Sequence, residues 1–189
     1  MRNSSDAQSV RPDPHAKIQQ KGLQKMEGTV AGAVITASDR CFRGETEDKS
    51  GPLAAALLAD WGVIVDQVHV VPDGIASVRN AILDAMAQGA RVIVTTGGTG
   101  VTDRDLTPEA TAPLLDARMD AIAMQIARVG LVNTPLASLS RGLVGVSRQG
   151  ETPCFIVNAP GSRGGVKDTI SVIGPLVPHV LEQLDLVTD

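Results

Sequence analysis

From Thr29 onward, hydrophobic residues follow two alternating patterns, short β-branched runs and stretches whose apolar residues recur three or four apart. The first spacing belongs to strands and the second to helices, and their alternation predicts βαβ units around a mostly parallel sheet. Residues 30–37 make the first strand. A polar loop spans 38–50, and Ser50-Gly51-Pro52 starts a helix, proline being tolerated in a first turn. That helix carries Leu53, Leu57 and Leu58 on one face and stops at Gly62. Residues 63–71 form the second strand. Asp73 is placed to cap a helix over 75–88, with Val78, Ile82 and Met86 on its apolar face and Gly89 at its end. Residues 91–95 are continuously β-branched after Arg91, as a central parallel strand buried on both faces requires.

Farther on, Thr107-Pro108 is a second cap-plus-proline start, leading to Leu114, Leu115 and another helix over 122–129. Residues 143–146 and 154–157 read as a small β-hairpin turning through Gln149 and Gly150. A terminal helix begins near Ser162, and Pro175 and Pro178 bend or divide it.

A chain of 189 residues supports one buried core. Residues 1–27 are rich in Ser, Asp, Gln, Lys and Pro and lack the apolar stretch of a signal peptide. They are read as a disordered and dispensable tail before a domain at 28–189. No run approaches the ~18 apolar residues of a membrane span, so no membrane partner is expected and the location is expected to be cytoplasmic. The formal charge is -4, and Phe42, Phe155 and Trp61 are the whole aromatic complement. A generic nucleic-acid binder needs a basic surface and stacking platforms, so nucleic acid is not an expected partner. Cys41 and Cys154 each stand alone, without metal-ligand spacing, which fits a reducing compartment.

The unusual polar and glycine residues gather after the strands: Ser38 and Asp39 after the first, Asp73 after the second, Thr96 to Asp105 after the third, and Asn158 to Ser162 at the last. In an open parallel sheet these are the carboxyl ends, where ligands bind. Thr95-Thr96-Gly97-Gly98-Thr99-Gly100 suits an anion, since glycines let backbone N–H groups approach closely and threonines add hydroxyls. It lacks the lysine and spacing of the familiar nucleotide loops. A tight turn needing its glycines for geometry alone is the competing reading; on the anion reading, Gly98→Val abolishes binding and spares the fold. Asp73 and Asp105 could hold Mg²⁺ against a polyphosphate, or could merely cap a helix and order a loop. Asn158, Pro160, Gly161 and Ser162 end a strand and open a helix, a second anion site or plain turn chemistry. Ser140-Arg141 offers a hydroxyl and a forked cation. His15, His69 and His179 all lie away from these loops, which speaks against histidine-based nucleophilic catalysis.

Six ordered blocks resemble the molybdopterin adenylyltransferases, which include bacterial Mog proteins and the amino-terminal domain of gephyrin. They are Ser38-Asp39-Arg40, Asp48-Lys49-Ser50-Gly51, Val71-Pro72-Asp73, Thr95 to Gly100 with Arg104 to Thr111, Leu139-Ser140-Arg141, and Asn158 to Ser162. The resemblance covers residues 29–186. It implies a three-layer α/β/α fold, a homotrimer, and transfer of an adenylyl group from Mg-ATP to molybdopterin, in company with other proteins of molybdenum cofactor biosynthesis. It also implies that Asp73 and Asp105 are the catalytic carboxylates acting with Mg²⁺. Ser38, Asp39, Thr95, Thr96, Gly97, Gly98, Thr99, Gly100, Ser140, Arg141, Asn158, Pro160, Gly161 and Ser162 become substrate contacts. Ala159 stands where the family usually has Leu, and Arg163-Gly164-Gly165 where many members have Pro or Lys. Asp103 adds an acid inside the glycine-loop region. A carrier or scaffold that binds the pterin without transferring adenylate is the alternative, and a hydrolase or metal insertase a more distant one.

Overall fold

The computed structural model describes residues 28–186, so the tail expected at 1–27 lies outside the described residues. The strands are β1 (Val30–Ala37), β2 (Val63–Ile64), β3 (Val68–Val71), β4 (Val92–Thr96), β5 (Ala117–Arg118), β6 (Val144–Ser147) and β7 (Cys154–Ala159). The helices are α1 (Asp39–Phe42), α2 (Gly51–Ala59), α3 (Ile75–Ala87), α4 (Thr107–Thr111), α5 (Asp120–Asn133), α6 (Arg163–Ile173) and α7 (Val177–Asp185). One sheet runs β2-β1-β4-β7-β6-β5, with β3 continuing the outer side of β1. Strands β1 to β4 and β7 pair in parallel, and β6 and β5 add the antiparallel margin, including the expected hairpin.

Strand alternation divides the core between two faces. Val34 of β1, Val92 and Val94 of β4, and Phe155 and Val157 of β7 pack with α2, α6 and α7. Ala33 and Ile35, Ile93, and Cys154 and Ile156 point the other way, against α3 and α4. Burial on both faces is why these strands read as continuous apolar runs, and the expected three layers are what they build. Helix α3 buries Val78, Ile82 and Met86 as its periodicity requires. Pro175 and Pro178 divide the terminal helix, with a short 3₁₀ turn at Gly174–Leu176 between α6 and α7.

Four local expectations need correction. The second strand is two: Ala31 pairs with Ile64 but Val34 with Val68, so three steps along β1 match four on its partner. One extra residue in the polar stretch around Asp66 breaks the ladder there. The loop after β1 opens with helix α1, capped by Ser38, which accepts from Cys41 N–H at 3.3 Å. Asp73 does not cap α3; Gly74, at φ 139°, holds that position without a side-chain cap. Thr107 is no cap either, because its hydroxyl donates to Gly97 O at 2.9 Å. Strand β5 and the full length of α5 were not legible, since two exposed residues carry no strand pattern and α5 buries only Gly130.

Candidate functional site

Register brings the loops together. Thr36 of β1 lies beside Thr96 of β4, Thr96 beside Ala159 of β7, and Ala37 beside Val71 of β3. Four parallel strands therefore end level, and the segments after them form one edge. Gly97 N–H donates to Ala159 O at 3.1 Å, and a β-carbon on Gly161 would come within 3.0 Å of Gly97 Cα, so the two glycine turns touch.

On the α2 and α6 side this edge opens into a cleft of about 230 Å³, lined by Ser38, Asp48, Lys49, Thr96, Gly97, Gly161 and Arg163 among others. Beneath it lies a closed polar ring. Thr36 Oγ1 donates to Asp48 Oδ2 at 2.7 Å, Thr96 Oγ1 to Thr36 Oγ1 at 3.2 Å, and Ser50 Oγ to Asp48 Oδ1 at 2.9 Å, while Ser50 and Thr96 hydroxyls meet at 3.0 Å. Asp48 Oδ1 also accepts the N–H groups of Ser50 and Gly51, each at 3.0 Å. Partial burial works against the charge of Asp48, but the Gly51 N–H and the Thr36 and Ser50 donors outweigh it and hold the carboxyl below its usual range. The anion that caps α2 is thus internal, and it ties the ends of two central strands to that helix.

The two expected catalytic acids sit apart from this cleft. Asp73 follows β3 and Asp105 lies in the loop after β4, with β1 between those strands. Asp73 Oδ2 accepts from Asp39 N–H at 3.0 Å, and Asp39 Oδ1 accepts from Asp73 N–H at 3.1 Å. Asp105 Oδ2 accepts the N–H and hydroxyl of Thr102 at 2.9 and 2.7 Å. Desolvation opposes its ionisation, but Thr102, the Gly100 N–H and the Arg141 charge prevail and depress its pKa. Arg141 reaches Gly100 O at 2.7 Å, also donates to Asp105 O, and pairs with Glu109. Its fork closes the loop over residues 100–105.

Other expected contacts are interior. Thr95 and Thr96 are adjacent, so their side chains leave opposite faces of β4. Thr96 joins the ring under the cleft; Thr95 is fully buried on the α4 side. There Asn158 Nδ2 donates to Thr95 and Thr111 hydroxyls, both at 3.0 Å, and its Oδ1 accepts Leu143 N–H at 3.1 Å. Its hydrogen-bonding groups are thereby engaged inside the fold. Thr99 is nearly buried beside Ser140, whose hydroxyl lies 3.5 Å away. Ser162 caps α6, accepting from Gly165 N–H at 3.0 Å. Pro160 packs over Gly165 so tightly that a β-carbon there would lie 2.6 Å from its ring. Gly97 and Gly98 have φ of 90° and 63°, and their β-carbons would collide with Ala37 O and the Thr107 hydroxyl. Contrary to the expectation that Gly98→Val spares the fold, a valine there meets Thr107 at a φ that disfavours it.

Sequence reasoning did not single out Thr36, Asp48, Lys49 or Arg163 for the site. Asp48-Lys49-Ser50-Gly51 carried the signal, an acid two residues before a helix start, and Thr36 became a candidate only through register.

An open α/β sheet whose level strand ends present glycines, hydroxyls and acids has the architecture of α/β domains that take small ligands at the carboxyl ends of their strands. A family described as "Probable molybdopterin binding domain" matches residues 33–179. A molybdopterin adenylyltransferase from Pyrococcus furiosus is 38% identical over 153 residues, covering 79% of this chain and 88% of that protein. Gephyrin from Dictyostelium discoideum is 34% identical over 176 residues, 88% of this chain but 24% of its own length. This chain thus spans about a quarter of that relative. Among solved structures, a molybdopterin biosynthesis protein from Mycobacterium abscessus is 40% identical, with a TM-score of 0.76 over 82% of this chain and 96% of that one. The tungsten cofactor synthesizing protein MoaB from Pyrococcus furiosus gives 35% and 0.77, over 85% of this chain and 100% of that one. The chain belongs to the molybdopterin-binding family of molybdenum cofactor biosynthesis proteins.

Proposed function

We propose that this protein transfers the adenylyl group of Mg-ATP to the terminal phosphate of molybdopterin, releasing pyrophosphate. The observation that carries the reading is the level edge at Ala37, Val71, Thr96 and Ala159, along which the glycine turns lie, Asp73 follows β3, Asp105 follows β4, and neither described histidine takes part. A pterin phosphate oxygen attacks the α-phosphorus of ATP. The bond from that phosphorus to the bridging oxygen breaks, and its electron pair leaves on pyrophosphate. The attacking oxygen is already ionised near neutral pH, so no general base is needed, and the protein's part is positioning and charge. Lys49 and Arg163 line the cleft and pair with no carboxylate among the described residues, so they support phosphate binding there.

Mg²⁺ fits the donor chemistry. Asp73 keeps Oδ1 without a hydrogen-bond partner among the described residues, and Asp105 is held ionised. No cluster of three His, Cys, Asp or Glu suited to a metal occurs among the described residues. A site of one or two carboxylates completed by substrate phosphates is the usual arrangement for this ion. When bound, it neutralises charge on the transferring phosphate. Self-association as a homotrimer fits the apolar surface that α5 leaves uncovered.

Incubation with molybdopterin and Mg-ATP should yield pyrophosphate and adenylylated pterin. Asp73→Ala and Asp105→Ala should each lose about 10²–10³ in rate while keeping pterin affinity. Wild-type turnover in either removes that residue from the mechanism. Tight pterin binding without pyrophosphate release by the unmodified protein would establish the carrier reading instead.

A further inference from the structure

Strand pairing between β1 and β3 runs out at Ala37 and Val71, and Ser38 N–H makes the last backbone contact to Val71 O at 3.0 Å. Past that point the two chains stay joined through a reciprocal pair. Asp39 N–H donates to Asp73 Oδ2 at 3.0 Å, and Asp73 N–H donates to Asp39 Oδ1 at 3.1 Å. Each aspartate satisfies the other's backbone, so the main chain and carboxylate of Asp73 are fixed together. The next residue is Gly74, at φ 139°, where the missing side chain leaves the backbone intrinsically free to turn. Two side chains hold the turn against that freedom: Ser77 Oγ donates to Pro72 O at 2.7 Å and lies 3.0 Å from Gly74 O, and Asp39 fixes Asp73 itself. Its second oxygen, Oδ2, faces Arg43 at 3.8 Å, so both of its oxygens turn toward protein groups. Asp73, in contrast, keeps Oδ1 without a protein partner among the described residues.

We infer that Asp39, which the resemblance implies is a substrate contact, is instead a positioning residue, its carboxylate turned to protein groups, which aims the Asp73 carboxylate at the transferring phosphate without touching substrate itself. The inference rests on Asp73 acting in adenylyl transfer. Asp39 is required for the place of its oxygen and not for its charge. A displacement of about 1 Å at a reacting group can cost on the order of 10²-fold in rate.

Three substitutions separate place from charge. Asp39→Asn keeps an acceptor oxygen in position and drops the charge; Asp39→Glu keeps the charge and moves the oxygen by one methylene; Asp39→Ala removes both. Steady-state turnover of molybdopterin and ATP is measured for each, with a circular dichroism melt to certify folding. Asp39→Glu and Asp39→Ala should lose roughly tenfold or more in kcat, with KM for both substrates within about twofold. Asp39→Asn should retain most of the rate. Asp39→Ala combined with Asp73→Ala should be no slower than Asp73→Ala alone, because one acts through the other. Amide exchange at Asp73 should quicken in Asp39→Ala and stay slow in Asp39→Asn. Asp39→Asn as slow as Asp39→Ala overturns the inference, as do losses that multiply in the double variant. If Asp73→Ala is slow while Asp39→Ala turns over normally, the inference alone fails. If Asp73→Ala turns over normally, the role given to Asp73 fails and takes this one with it.

Discussion

The hydroxyl of Thr107 stands where a β-carbon on Gly98 would fall, and the same threonine's N–H donates to Gly98 O at 3.0 Å. The glycine loop and the start of α4 are therefore one packed unit. Glycine is required at 98 for contact with the protein's own chain, whatever the loop binds.

Gly98→Val should consequently destabilise the fold and not only the site. Valine at φ 63° is strained by about 1–3 kcal/mol, and Thr107 must move in addition. A melting temperature several degrees below wild type is expected. Gly164→Ala is the matching control: nothing lies within 4 Å of its β-carbon position in the first turn of α6, so its melt should match or exceed wild type. A Gly98→Val protein that melts like wild type would contradict the packing.

Asp48 makes stability depend on acid in a definite direction. Its folded pKa lies below the unfolded one, so its contribution is complete above the unfolded value of about 3.9 and is lost as pH falls through the folded value. Asp48→Ala should melt well below wild type at pH 7, and the gap should narrow below about pH 4. Asp105 and Glu109 shift the same way, so the parent protein also weakens there. A gap that stays constant from pH 7 to pH 3 would mean that the ring does not depend on the charge.

Much of this was legible because strands buried on both faces announce themselves. The runs that became β1 and β4 and the face of α3 needed only periodicity, and the placement of polar loops at strand ends followed from parallel order. Which groups meet did not follow. Whether Thr95 faces Asn158 or the cleft depends on a parity that only register assigns, and Asp73 reads equally as a helix cap or as a Mg²⁺ ligand, while its pairing with Asp39 is a long-range contact. Asn158 looks like a ligand contact in the sequence because it opens the run to Ser162 that ends a strand and starts a helix, yet it lies within β7. Its burial, with hydrogen bonds to Thr95, Thr111 and Leu143, arises from long-range contacts that no local pattern encodes.

The two cysteines should differ sharply toward thiol reagents. Burial pushes the Cys154 thiol up to about 11, and the side chain is fully enclosed in the face packed on α3. Reaction needs thiolate and access, and Cys154 has neither. Cys41 is partly exposed at the cleft. Mass spectrometry after brief iodoacetamide treatment should find one adduct, at Cys41, in the native protein and two after denaturation. Rapid native labelling of Cys154 would show that the core opens far more readily than its packing implies.

Helix α5 and the 3₁₀ turn at Pro135–Leu139 that follows it present an uncovered apolar surface. Gly130 alone of the helix's fourteen residues is buried, while Met124 is 68%, Val132 84% and Leu136 68% exposed. Ile122, Ala123 and Ile126 form the face that α5 packs on the core, so the exposed Met124, Val132 and Leu136 are additional apolar surface of the kind that suits an association site. If copies of the chain meet there, Val132→Asp with Leu136→Asp replaces two apolar contacts per copy with charges. Each large side chain buried contributes about 1.5–3 kcal/mol, and 1.4 kcal/mol is a tenfold change in affinity, so the pair should lower it by at least 10²-fold. Light scattering behind size-exclusion chromatography should then show wild type as a trimer and the variant as a monomer, with matching circular dichroism spectra. Since both positions are solvent-exposed in the isolated subunit, the subunit itself has no reason to unfold. A variant that remains a trimer places the association elsewhere, and a monomeric wild type removes it.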